Sequence, residues 1–186
     1  QDVEVGRGTD RPGGGGLGGG TVGAPVIGGL SGSGRDAGFV RMVMKGRRSL
    51  AQSGHFFGCI GQMLPAAMGA VAATGKPLVL CDGDASVMMH LAEFETAVRY
   101  DMPLLVVVMN NEALGAEYYK LDAHKMDIMT SVIKTPDLGK VAVAMGGRGA
   151  METKVDQLTQ AAQGWTDKPG TKVIGFGIYR SVPIVP

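Results

Sequence analysis

Cysteine, histidine and aromatic residues are scarce in this 186-residue chain, which has two cysteines, three histidines and an aromatic fraction of 5%. Cys59 and Cys81 sit in apolar stretches with no metal-ligand spacing between them, which predicts small buried side chains in a reducing compartment. The histidines lie far apart along the chain, so they form no zinc pattern. These features predict a cytoplasmic protein without a structural zinc site.

The sequence also lacks an excess of charge of either sign and any long apolar run. Its formal net charge is +1, and no basic stretch of the kind that binds a phosphate backbone stands out. No apolar run is long enough to span a bilayer, and no secretory signal is visible at the N-terminus. We therefore expect neither nucleic acid nor a membrane as a partner.

Glycine is abundant, and much of it lies in residues 1–38, which differ from the rest of the chain. This stretch has few apolar residues and cannot bury enough surface to offset the entropy lost on ordering. A glycine-rich loop can cradle phosphate, but no strand-then-helix pattern surrounds this one. We predict a loose segment or linker over residues 1–38 and a folded domain over residues 39–186.

From residue 39 onward, apolar runs of strand length alternate with helical patterns. The predicted strands are Phe39–Met44, Pro77–Cys81, Leu104–Met109 and Val173–Ile178, and the predicted helices are Gln62–Thr74, Ser86–Tyr100, Thr135–Met145 and Thr153–Trp165. Pro77–Cys81 and Leu104–Met109 are continuously apolar, as buried parallel strands are. The alternation predicts an α/β fold with a doubly wound parallel sheet and helices on both faces.

Two oxygen-bearing side chains follow neighbouring predicted strands. Asp84 comes just after one strand, and Asn111 comes just after the next, with the crossover helix between them. The carboxyl ends of parallel strands meet at one edge of the sheet, where open α/β folds bind their ligands. Carboxylate and amide oxygens suit Mg²⁺, which keeps water or phosphate oxygens as its other ligands. The spacing therefore predicts a magnesium site.

The residues around Asp84 add a site for an anion. Ser86 lies where the crossover helix begins, and backbone N–H groups at a helix start are available to phosphate. Gly83 and Ala85 are small, so the backbone can approach such an anion closely. The alternative is that this segment is only a strand-to-helix turn with an N-cap. Because this segment and Asn110-Asn111 follow neighbouring predicted strands, the two together favour a Mg²⁺–diphosphate site.

The order Gly83-Asp84-Ala85-Ser86, with 24 residues between Ala85 and Asn110-Asn111, resembles the signature of thiamine-diphosphate-dependent enzymes. The intervening Met89, Glu93, Thr96–Arg99 and Pro103 are similar to the group of acetolactate synthases, pyruvate oxidases and benzoylformate decarboxylases. Upstream, residues 58–61 and 64–70 resemble that group's segment beneath the cofactor. The resemblance implies the Rossmann-like thiamine-diphosphate-binding fold.

The resemblance also implies a role for each matching position. Asp84 and Asn111 would bind Mg²⁺ by their side chains, and Ala113 would bind it by its backbone carbonyl. The cofactor contacts would come from Gly58, Ile60, Gly83, Ala85, Ser86, Leu114 and Gly115. Ile60 is the one residue assigned to catalysis, as the support of the cofactor's bent V shape; taken without the resemblance, it reads as ordinary core packing.

A glutamate that acts on the cofactor's pyrimidine ring is needed for this chemistry, and the family supplies it from a separate pyrimidine-binding domain. No part of the chain resembles that domain. The chain is then either part of a larger, homo-oligomeric enzyme that acts on a small 2-oxo acid, or a small subunit of a split decarboxylase. The resemblance to acetolactate synthases favours the first. A nonenzymatic module with this fold remains an alternative, whereas no G-x-G-x-x-G motif supports a dinucleotide binder.

Overall fold

A parallel sheet forms the centre of the molecule in the computed structural model, which describes residues 26–28, 50–52, 60–168 and 170–177. The strands are β1 (Val26–Gly28), β2 (Leu50–Gln52), β3 (Leu78–Gly83), β4 (Leu104–Asn110), β5 (Arg148–Glu152) and β6 (Lys172–Gly177). Their order across the sheet is β2-β1-β3-β4-β6-β5, and every neighbouring pair is parallel. The predicted strand Phe39–Met44 lies outside the described residues, as does most of the segment 1–38.

Six α-helices and one 3₁₀ turn connect these strands in the described part of the chain. They are α1 (Met63–Thr74), α2 (Asp84–Met89), α3 (Glu93–Arg99), α4 (Gly115–Ala123), the 3₁₀ turn Ile128–Ser131, α5 (Leu138–Ala144) and α6 (Val155–Asp167). None of the helices described is long and apolar enough to cross a membrane.

The central strands bury side chains on both faces of the sheet. On one face, Leu80 and Val106 pack with residues of α1, α3 and α5. On the other face, Leu105 and Ile174 pack against Trp165 of α6. Continuous apolar strands produce this arrangement, because successive side chains point to opposite faces and both faces are covered. The predicted α/β fold with helices on both faces is confirmed.

The single helix predicted over Ser86–Tyr100 is wrong, because the structure divides it into α2 and α3. Between them the backbone N–H groups of Glu93, Phe94 and Glu95 bond to carbonyls three residues earlier. This tighter 3₁₀-type turn replaces the α-helical pattern locally. The apolar stripe that suggested one helix survives the turn, since Val87 and Phe94 are both buried.

Strand β5 was not predicted, because its sequence Arg-Gly-Ala-Met-Glu is neither continuously apolar nor alternating. It forms at the edge of the sheet under α5, where the two backbones come very close. A Cβ on Gly149 would overlap the carbonyl oxygen of Gly139, and a Cβ on Gly139 would come within 2.6 Å of the backbone of Ala150. Two glycines thus allow α5 to lie directly on this strand.

Candidate cofactor-binding site

The carboxyl ends of β3 and β4 bring the predicted metal-binding residues to one edge of the sheet. Gly83 pairs with Met109 at the end of the parallel ladder, so Asp84 and Asn111 leave the two strands beside each other. Asp84 is the first residue of α2 and is only 2% exposed. The structure therefore places both side chains where the spacing predicted them, while their role as ligands stays a prediction.

The carboxylate of Asp84 is held by two other segments of the chain. Its Oδ2 atom accepts a hydrogen bond of 2.7 Å from the hydroxyl of Thr135 and one of 3.0 Å from the backbone N–H of Glu112. Burial raises the pKa of Asp84, and the bonds from Thr135 and from nearby backbone N–H groups oppose that rise. We call Asp84, Glu112 and Thr135 the edge network.

The turn after β4 is fixed by side chains of its own asparagines. The N–H of Glu112 is shared with Oδ1 of Asn110 at 3.1 Å, and the N–H of Ala113 donates to Oδ1 of Asn111 at 3.0 Å. Glu112 has a φ of 54°, a left-handed conformation that few residues adopt without such support. The Asn-Asn pair therefore shapes the backbone beside Asp84.

A second contact pins this turn to the segment after the 3₁₀ turn. Ala113 and Val132 form an antiparallel bridge. Within it the N–H of Leu114 donates to the Ser131 carbonyl, and that of Ile133 donates to the Glu112 carbonyl, each at 2.8 Å. The same segment continues to Thr135, so Glu112 and Thr135 of the edge network both lie on or next to backbone that these bonds hold.

A second carboxylate lies deeper, two residues before Asp84. Asp82 is fully buried; its Oδ2 accepts a bond of 2.6 Å from the hydroxyl of Ser86, and its Oδ1 accepts one of 2.9 Å from the N–H of Gly83. Ser86 in turn accepts the N–H of Gly61 at 2.9 Å. Burial raises the pKa of Asp82 to about 7, against the lowering effect of these bonds. We call Asp82, Ser86 and Gly61 the inner network.

The remaining predicted cofactor contacts surround these networks. Ala85 is buried in the first turn of α2, and Leu114 and Gly115 stand at the N-terminus of α4. A Cβ on Gly115 would come within 3.0 Å of the Asn111 side-chain nitrogen, so a larger residue would crowd that amide. Ile60 is half-buried and adjoins Gly61. Gly58 lies outside the described residues.

The donors at this edge fit a diphosphate bound through Mg²⁺. They comprise one buried carboxylate, one side-chain amide and the backbone of the adjacent turn, which are oxygen ligands of the kind that Mg²⁺ takes. Among the described residues, no group of three or more His, Cys, Asp or Glu side chains forms a metal cluster. A site with one carboxylate leaves ligand positions for phosphate oxygens.

The sequence analysis missed three residues that the structure adds to the site. Gly61 lies within the segment 58–61 that it used, and Asp82 lies directly before Gly83, but their hydrogen bonds could not be read from spacing. Thr135 is 51 residues from Asp84, and Gly61 is 25 residues from Ser86. In the sequence, Thr135 directly precedes Pro136 and Asp137, and this pattern indicated only that a helix begins there.

The fold is that of an open, parallel α/β domain, a class that binds its ligands beyond the carboxyl ends of the strands, where Asp84 and Asn111 lie. The model of the thiamine pyrophosphate enzyme C-terminal TPP-binding domain matches residues 36–176. The chain belongs to this family, and the predicted membership and the thiamine diphosphate cofactor are thereby confirmed.

Several acetolactate synthases are similar to the chain. The mitochondrial catalytic subunit from Saccharomyces cerevisiae is 32% identical over 132 residues, which cover 69% of this chain and 19% of the relative. The isozyme 2 large subunit from Escherichia coli is 32% identical over 124 residues, covering 65% of this chain and 23% of the relative. A sulfoacetaldehyde acetyltransferase from Alcaligenes xylosoxydans xylosoxydans is 31% identical over 109 residues, covering 58% and 18%. The matches span about a fifth of these relatives' length.

Proposed function

We propose that the edge of the sheet at Asp84 and Asn111 binds Mg²⁺ and, through it, the diphosphate of thiamine diphosphate. The observation that carries the proposal is the placement of Asp84, a nearly fully buried carboxylate, beside Asn111 at the ends of paired parallel strands. Burying a carboxylate is costly unless it is hydrogen-bonded or binds a cation. The bonds from Thr135 and Glu112 both end on Oδ2 of Asp84, and a cation at this edge would offset the burial of its charge further.

Different residues of the chain would bind the cation and the diphosphate. Asp84, Asn111 and the carbonyl of Ala113 would bind the cation, and the backbone at Ala85 and Ser86 would contact the diphosphate. The hydroxyl of Ser86 is already engaged by Asp82 and Gly61, which supports a backbone rather than a side-chain contact there. Thiamine diphosphate supplies a nucleophilic carbon when bound, and the protein positions it.

For the parent enzyme we propose an acetolactate-synthase-like reaction on a 2-oxo acid. The names of the relatives, acetolactate synthases and a sulfoacetaldehyde acetyltransferase, support a transferase, and the family supports the cofactor. Ile60, next to the inner network, would support the bent cofactor. The substrate-binding residues and the pyrimidine-binding glutamate would then come from the rest of such an enzyme.

A partner domain is the second part of this proposal. Met126 and Met129, which are 60% and 64% exposed, lie between α4 and the segment that carries Thr135. Exposed apolar side chains next to a site support coverage by another domain. We expect the chain alone to show no 2-oxo-acid turnover, because proton transfer by the missing glutamate contributes about 10²–10⁴-fold in rate.

Calorimetry on the chain tests the proposal directly. We expect thiamine diphosphate to bind in the presence of Mg²⁺, to bind much more weakly with a chelator, and NAD not to bind under either condition. Binding of thiamine diphosphate that is indifferent to Mg²⁺ would contradict the metal site. Clear turnover of pyruvate by the chain alone would contradict the need for a partner domain.

A further inference from the structure

We infer that strand β5 joins two copies of the chain by pairing antiparallel with the β5 of a second copy. The pairing is centred on a twofold axis at Ala150, so that the sheets of the two copies form one continuous sheet. This surface is a side edge of the sheet, away from Asp84, and the inference does not depend on the proposed magnesium site.

The outer edge of β5 is the first observation. β5 is the last strand in the order across the sheet, and no strand among the described residues pairs with its outer side. Such an edge presents backbone N–H and carbonyl groups that another strand can bind. Met151 of β5 and Val143 of α5 are 38% and 57% exposed, and both line an open groove of about 580 Å³ beside the strand. The edge is therefore accessible and partly apolar.

The pairing of β5 with β6 determines which backbone groups point outward. The N–H of Arg148 donates at 3.2 Å to the carbonyl of the residue just before β6. Since successive residues of a strand direct their backbone groups to opposite sides, those of Ala150 and Glu152 also point toward β6. The backbone groups of Gly149 and Met151 point outward, where a further strand would lie.

An antiparallel pair centred on Ala150 brings these outward groups together. Gly149 of one copy lies opposite Met151 of the other, and the two residues exchange both of their N–H···O=C bonds. The twofold axis repeats this exchange on the other side of Ala150. A register shifted by one residue would set each outward residue against an inward one and lose the bonds. The alternation along β5 therefore fits this register.

The charges of β5 fit the same register. Arg148 and Glu152 are the first and last residues of the strand, at equal distances from Ala150. The twofold pairing sets Arg148 of each copy opposite Glu152 of the other, in a pair without backbone bonds, where side chains come closest. Edge strands that resist pairing often carry lysine, whose charge repels a second copy of the same strand. Opposite charges placed symmetrically attract it instead.

Within one copy the charge of Arg148 is not matched. Neither Arg148 nor Glu152 forms an ion pair with another described residue, and Arg148 donates instead to the carbonyl of Lys168. Lys172 is the partner of Arg148 in the ladder between β5 and β6, so a like charge lies beside it. Glu152 of a second copy supplies the acidic group that this end of the strand lacks.

The face of the sheet toward α5 has room for the pairing. Gly149 has no side chain, and the backbone of Gly139 lies directly against it. Met151 of the second copy is opposite Gly149 on this face, next to the groove that Val143 lines. Because the twofold axis is perpendicular to the sheet, α5 of both copies lies on the same face, and the exposed Val143 side chains approach each other. The pairing thus covers apolar side chains that one copy leaves exposed.

The test is sedimentation of the full chain over a range of concentrations, without cofactor or Mg²⁺. A short interface binds weakly, so we expect a reversible dimer with a Kd of roughly 10–100 µM. Arg148→Glu or Glu152→Arg alone sets like charges opposite each other and should raise the Kd at least about ten-fold. The double variant Arg148→Glu/Glu152→Arg exchanges the two charges and should return the Kd to within about three-fold of wild type.

Two further variants complete the test. Lys154→Glu changes the net charge as Arg148→Glu does, but at an exposed residue beyond the end of β5, and should leave the Kd unchanged. Met151→Pro removes an outward-facing N–H that makes no bond to β6 and should abolish the dimer. Circular dichroism on dilute, monomeric protein shows whether each variant is folded, and Met151→Pro keeps the test open if a charge variant is not.

A wild-type chain that stays monomeric up to roughly 1 mM, the weakest affinity expected for such a contact, would overturn the inference. So would a dimer whose Kd is the same in folded Arg148→Glu and Met151→Pro proteins, because its interface would then lie elsewhere. A double variant that dimerises as weakly as the single variants would contradict the pairing of Arg148 with Glu152 and the register with it.

Discussion

The inner and edge networks each join three segments of the chain through a buried aspartate, and the two aspartates are only two residues apart. In the inner network the oxygens of Asp82 each accept one hydrogen bond. In the edge network both cross-segment bonds end on a single oxygen of Asp84. Asp82 lies within β3, whereas the equally buried Asp84 follows that strand as the first residue of α2, at the edge of the sheet where we propose that a cation binds.

The difference separates two uses of the same side chain. A carboxylate with both oxygens satisfied by the protein stabilises the packing of the segments around it. A carboxylate at the carboxyl ends of two parallel strands lies where open α/β folds bind their ligands. We therefore expect substitutions in the inner network to change the free energy of unfolding, and substitutions in the edge network to change cofactor binding.

The largest effect should follow from Asp84→Ala. Removing the only carboxylate of the proposed site leaves Mg²⁺ without one of its two side-chain ligands, so we expect Mg²⁺-dependent affinity for thiamine diphosphate to fall at least about 100-fold. Asp122→Ala, at an exposed position on α4, is the matched control and should bind normally. Calorimetry with both variants measures the affinities. Wild-type affinity in Asp84→Ala would contradict the expectation that the edge network acts on cofactor binding.

The next effect concerns the inner network and should appear in stability. Ser86→Ala leaves Oδ2 of Asp82 without its donor and the Gly61 N–H without its acceptor, which costs roughly 2–3 kcal/mol in the free energy of unfolding. Urea denaturation measures the loss. Thr159→Ala, which removes an exposed hydroxyl bond within α6, should cost less than about 0.5 kcal/mol. Equal losses in the two variants would mean that the inner network does not stabilise the fold.

A smaller loss of stability should follow from Gly61→Ala. Gly61 has a φ of 89°, and a Cβ there would come within 2.9 Å of His90 Nδ1 and of Met89 Cβ. We expect a cost of about 1–2 kcal/mol from the left-handed backbone and this crowding. Gly69→Ala is a control of opposite sign, because Gly69 lies in α1 with no atom near its Cβ position and should gain about 0.5–1 kcal/mol. Stabilisation by both substitutions would contradict the strained geometry at Gly61.

The smallest effect tests the electrostatics next to the inner network. Burial, and to a lesser degree the charge of Asp82, raises the pKa of Cys81 to about 12. In a Cys59→Ser protein at pH 8, the thiolate fraction of Cys81 is then about 10⁻⁴, so we expect alkylation to be very slow until the chain is unfolded. Asp82→Asn should lower the pKa only slightly, because burial is the larger cause. Rapid alkylation of the folded protein would show that Cys81 is not protected.

The sequence predicted the fold class and the placement of Asp84 and Asn111 at one edge of the sheet because both follow from short-range patterns. Apolar runs located β3 and β4, and their ends located Asp84 and Asn111. Sequence spacing could not show that Thr135 reaches Asp84 from 51 residues away, since that contact depends on how α5 docks on the sheet.

Two errors in the secondary-structure prediction have physical causes. The stripe of Val87 and Phe94 correctly marked the buried face but could not reveal the 3₁₀-type turn between α2 and α3, because both helical forms keep those residues on one side. Strand β5 gave no periodic signal because its glycine serves close contact with α5 rather than strand formation. The turn between α2 and α3 and the strand β5 both depend on tertiary packing.

The segment over residues 116–130 has a consequence for how the protein can vary. Helix α4 contains no buried residue, and the segment is closed at its base by the bridge between Ala113 and Val132. The cost of closing a loop rises only slowly with its length, so lengthening or shortening this segment should leave the base nearly unchanged. Protein engineers could exchange it as a cassette above the ligand edge, altering what approaches the cofactor while Asp84 and Thr135 keep their positions.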